Sequence, residues 1–166
     1  MIYIFGDSHA NYNFKNIQIP NINGYVNSIT MHRIGRDQLN CINFKNSNIS
    51  QNDIVIYQVG EVDCRCHIGK QILLDRKLDE IVETLTQQFI VSILVNLKQY
   101  QPPEHEPKII VCCVPPPINN VYFTEKHGVI THNYPIIGED NDRIQYTTLV
   151  NSYLKEKCVQ NGSRLH

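Results

Sequence analysis

Three short apolar runs, each closed by a glycine or a proline, constrain the fold of this 166-residue chain more than any other feature. Met1-Ile2-Tyr3-Ile4-Phe5 runs into Gly6, Ile54-Val55-Ile56-Tyr57-Gln58-Val59 into Gly60, and the stretch from Ile109 to Val114 into Pro115-Pro116-Pro117. Near-continuous apolar character over so short a run marks a strand covered on both faces, as in parallel sheets. Between the second and third runs the periodicity is helical. Leu74, Leu78, Ile81, Val82, Leu85, Phe89, Ile93 and Leu97 recur three and four residues apart, predicting a helix from Gln71 to Tyr100 that Pro102 and Pro103 stop. A last helix is predicted from about Asp142 to Cys158, with Asn161-Gly162 as its stop. Residues 31–39 suggest a short helix and 41–44 a short strand. Residues 10–30 and 118–141 read as loops on their Asn, Pro and Gly content. Strands alternating with helices predict one α/β domain over residues 1–166 with a mostly parallel sheet.

Formal net charge is −1 and no basic stripe is present, so neither a nucleic-acid partner nor a membrane surface is expected. No apolar stretch is long enough to cross a bilayer, and the amino terminus has no leader-like pattern. Six cysteines without a leader point to free thiols in a reducing compartment, hence a cytoplasmic location.

In a parallel sheet, the loops that leave the carboxyl ends of the strands share one edge and can converge. Here they carry Asp7, Ser8 and His9 after the first run, and Glu61, Asp63, Arg65 and His67 after the second. A serine at such an edge becomes a nucleophile when a histidine takes its proton.

Gly6-Asp7-Ser8 after an amino-terminal strand resembles the first block of the SGNH/GDSL hydrolase superfamily, and Gly60-Glu61-Val62-Asp63 resembles its Gly-x-Asn-Asp block. Gly35, in Ile34-Gly35-Arg36, is similar to the family's oxyanion glycine, and the likeness extends over about residues 1–160. The resemblance implies a three-layer α/β/α sandwich with a flavodoxin-like strand order. It also implies hydrolysis or transfer of small acyl esters, carbohydrate O-acetyl groups among them, without cofactor or metal. Ser8 would be the nucleophile, and the backbone N–H groups of Ser8 and Gly35 would support the oxyanion. Asp7, His9, Arg36, Glu61, Asp63, Arg65 and His67 would line the substrate site. Two departures stand out. Val62 occupies the asparagine position and cannot donate, with Arg65 near enough in sequence to replace it. The Asp-x-x-His block that carries the base is missing, which leaves His166 as the expected base. A sheet lacking its last strand would expose an edge through which copies could associate.

Other readings use the same residues. A relative that binds a glycan or a protein without catalysis is one. Asp7-x-His9 with Gly60 to Arg65 also resembles the opening blocks of metallophosphoesterases, whose carboxylates and imidazoles hold metals that activate water. Their third block is absent here. Asp7 or Ser8 could instead cap a helix, and Glu61, Asp63 and Arg65 could form a structural tie. Cys64-x-Cys66-His67 has no partner motif that would complete a zinc site. Cys112 and Cys113 read as buried strand residues.

Overall fold

The structure is a computed structural model that describes residues 1–14, 16, 21–25, 29–128 and 134–165. Its centre is a parallel sheet of β1 (Ile2–Gly6), β2 (Asn21–Tyr25), β3 (Ile54–Gln58) and β4 (Lys108–Val111), in the order β2-β1-β3-β4. Ile4 pairs with Asn23 on one side and Ile56 on the other, and Ile56 pairs with Ile110. The helices are α1 (Ser8–Phe14), α2 (Met31–Asp37), α3 (Ile68–Ile72), α4 (Leu78–Leu97), α5 (Asn120–His127) and α6 (Asp140–Gln160).

Alternation along the strands sends apolar side chains to both faces of the sheet. Ile4 and Ile56 pack with Ala10 and Phe14 of α1. Tyr3, Phe5, Val55, Tyr57 and Ile109 pack in the larger core with Ile34 of α2, Phe89 and Ile93 of α4, and Val150 and Leu154 of α6. Tyr57 meets Phe89 edge-on, with ring centroids 5.5 Å apart. Each such side chain taken fully out of water contributes about 1.5–3 kcal/mol.

The structure revises five local expectations. The stretch 10–30 contains most of α1 and all of β2. The helix expected from Gln71 to Tyr100 is two helices, α3 and α4; Asp75 between them has φ +61, and Leu74 is 70% exposed rather than core. Residues 41–44 form turns instead of a strand, because buried Asn96 stitches them to α4. Its Nδ2 donates to the Ile42 carbonyl and its Oδ1 accepts from the Phe44 N–H. The region 118–141 carries α5, whose start Asn119 caps by accepting from the Tyr122 N–H at 3.0 Å. Strand β4 ends at Val111, so Cys112 is half-buried and Cys113 exposed, and no described cysteine is in a disulfide.

Candidate functional site

Strand order reverses between β1 and β3, since β1 leads outward to β2 while β3 leads the other way to β4. In parallel sheets the loops leaving adjacent strands at such a reversal diverge to opposite sides, and ligands bind in the crevice between them at the carboxyl edge.

At the end of β1, a Cβ on Gly6 would stand 2.3 Å from Ala10 Cβ and 2.5 Å from the Gln58 carbonyl oxygen. Only glycine lets the chain turn this close to β3. Asp7 then caps α1, accepting from the His9 N–H at 2.9 Å, and the same oxygen lies 3.4 Å from His9 Nδ1. Asp7 raises the pKa of His9 above the ordinary histidine value, against partial burial. Ser8 is the first residue of α1; its side chain lies outside the described residues.

At the end of β3, Gly60 has φ +117 and its missing side chain makes room for Val114 of the third loop. The chain passes into a π-helical turn over Asp63–His67 that runs directly into α3. Asp63 is fully buried. Its two oxygens accept from the N–H groups of Met31 at 2.8 Å and His32 at 3.1 Å, while Thr30 Oγ1 accepts from Arg33. The free donors in the first turn of α2 are thereby satisfied from two directions. Burial pushes the Asp63 carboxyl up to about 6, opposed by the two N–H groups. Asp63 therefore acts as a cross-chain helix cap with no face left for a substrate.

Glu61 and Arg65 form an ion pair at 2.9 Å, and both act electrostatically on His9. Arg65 also donates to the Tyr134 carbonyl and its own carbonyl accepts from the Ile137 N–H, so it fastens residues 134–137 beside the crevice. On the third loop, Asn151 of α6 clamps Val114: its Oδ1 accepts from the Val114 N–H and its Nδ2 donates to the Val114 carbonyl.

The other expected site residues sit apart from this cluster. Gly35 lies inside α2, past the free N–H groups of its first turn. A Cβ there would stand 2.8 Å from Gln88 Cβ, so its role is close packing of α2 on α4. Exposed Arg36 is engaged by the Asp37 carboxylate. His67 stacks on His32 with centroids 5.1 Å apart and faces Tyr134 at 5.8 Å. His166 lies outside the described residues. Leu165 bridges to Ile109 in parallel, two register positions before β4 ends at Val111, which leaves it about 7 Å short of the carboxyl end of that strand.

Among the described residues, no three His, Cys, Asp or Glu side chains cluster as a metal site. Asp63 has both oxygens on backbone N–H groups, and Cys64 and Cys66 are buried. The carboxylate–imidazole set of a metallophosphoesterase is not brought together by these residues. Sequence reasoning missed Asn151, Tyr134 and the partnership of His32 with His67, which arise between segments far apart in the chain. Comparison with protein families, curated proteins and solved structures finds no match to this chain. Among the described residues, no helix is long and apolar enough to cross a membrane.

Proposed function

We propose that this chain is a three-layer α/β/α domain of the SGNH-hydrolase type that takes small acyl esters, O-acetyl groups on carbohydrate included, at the crevice between the β1 and β3 turns. The observation that carries this reading is the placement of Ser8, first in α1 and directly past a central parallel strand at the switch point. Ser8 attacks the ester carbonyl, the tetrahedral intermediate expels the alcohol, and water then releases the acyl group from Ser8. Arg65, with Nε and Nη1 fixed by Glu61 and the Tyr134 carbonyl, retains further N–H donors for the anionic oxygen. It does the work of the asparagine that Val62 replaces. Asp7 favours the protonated form of His9 at this edge. The proton acceptor would be His166 or a histidine from a partner copy. Association of copies would use the outer side of β4 beyond the Leu165–Ile109 bridge, where a groove of about 620 Å³ runs between Val111 and Cys113 and the α6 residues Cys158 and Val159.

A second reading, binding of a glycan or protein without acyl transfer, is favoured by Gly35 and Val62. Neither presents the oxyanion donor that the resemblance implies. Turnover of p-nitrophenyl acetate separates the two. Catalysis through Ser8 gives hydrolysis that Ser8→Ala reduces to the buffer rate and a chelator leaves unchanged. Hydrolysis unaffected by Ser8→Ala removes the catalytic assignment.

A further inference from the structure

A second concave surface lies between α2, α3 and α4, lined by residues with no part in the Ser8 chemistry. It is a cleft of about 240 Å³ with Ile68, Ile81 and Leu85 among its lining and His32, His67 and Arg76 beside them. His67 Nε2 is buried and has no hydrogen-bond partner among the described residues. Arg76 meets no carboxylate among those residues; its Nη1 donates to the neutral Gln71 amide at 2.9 Å, which orients the guanidinium and leaves its charge unpaired. An imidazole pair, an orphaned ring nitrogen and an unpaired arginine around an apolar surface form a receptor for a negative group on an apolar body.

We propose that this cleft binds a small organic oxyanion, a phosphate monoester or a carboxylate, with its charged end between Arg76 and the stacked His32–His67 pair and its apolar body on Ile68, Ile81 and Leu85. The surrounding charges agree. His32 feels Arg36, Asp37 and Asp63, and His67 feels Lys70 and Arg36. Of the two acids, Asp37 is paired with Arg36 and Arg33, and Asp63 is held by backbone N–H groups. The ring of Tyr134 covers one side of His67, and α4 contributes the uncharged Thr84 and Gln88. Burial lowers the pKa of both histidines and so favours their neutral forms in the empty cleft. A bound anion favours their protonated forms and is held more tightly as they charge. The inference stands whether or not Ser8 is acylated.

The test is a titration of the full chain with phenyl phosphate, benzoate and inorganic phosphate, followed through the ring signals of His32 and His67 by nuclear magnetic resonance. The expected result is a saturable shift of both rings toward the imidazolium form with phenyl phosphate or benzoate, and weaker binding of inorganic phosphate, which cannot use the apolar surface. The stronger of the two aryl probes distinguishes a phosphate ester from a carboxylate. Benzoate stays ionised throughout and binds more tightly as pH falls from about 7.5 to about 5.5. Exposed Arg76, changed in Arg76→Gln, loses one charge-assisted contact, and affinity falls about tenfold or more with the backbone spectrum unchanged. Absence of a saturable shift with either aryl probe, or undiminished affinity in Arg76→Gln, overturns the proposal.

Discussion

The turns after β1 and β3 start from the same pattern, a glycine that lets the chain swing off a buried strand and an aspartate soon after it. Gly6 is required by its approach to Ala10 and Gln58, Gly60 by its positive φ and by Val114. The aspartates then diverge. Asp7 caps its own helix through the His9 N–H and lies 3.4 Å from the titratable His9 Nδ1, whereas Asp63 holds backbone N–H groups of another helix. The first arrangement keeps an ionisable pair at the crevice, and the second fixes the framework around it. Identical residue types at equivalent strand ends thus take different roles according to what the fold packs against them.

Removing each aspartate is the sharpest way to break this contrast. Asp63→Ala leaves two N–H groups without an acceptor and lowers stability by about 2–4 kcal/mol, read from urea unfolding. Next comes pH. The folded-state pKa of Asp63 is raised, so its contribution is greatest below the ordinary carboxyl value of 3.8 and is lost as pH rises through about 6. Asp63→Asn therefore flattens the stability profile between those limits. His9 is also raised, and its contribution is complete below 6.5 and lost as pH rises past its folded value. Asp7→Asn removes that loss and lowers the His9 pKa, measured on its ring signals. Gly6→Ala drives a methyl into the Gln58 carbonyl and costs about 1–3 kcal/mol. The smallest effect is that of Asp7→Ala, which removes one helix cap, about 1 kcal/mol. If Asp7→Ala costs as much as Asp63→Ala, the two turns are not the different devices described here.

Much of this framework was legible in the chain, and the unread part shares one cause. Apolar runs closed by Gly6, Gly60 and Pro115 marked β1, β3 and β4 because their burial on both faces dictates composition. Strand β2, Asn21-Ile22-Asn23-Gly24-Tyr25, has no such run; it lies at the outer edge and its pairing with β1 defines it. The α4 periodicity was plain, but the break at Asp75 depends on a backbone angle that no spacing displays. Asp63 was readable as a site residue and not as a cap, because Met31 and His32 lie more than 30 positions away. Gly35 carried a motif-like context, and only the packing of α2 against Gln88 shows what its missing side chain is for.

The central functional claim is that Ser8 is an activated nucleophile, and intact-mass analysis after incubation with a fluorophosphonate tests it most directly. The account predicts a single adduct on the native chain that is absent from Ser8→Ala. A folded chain that forms no adduct, or an adduct that persists in Ser8→Ala, would contradict it.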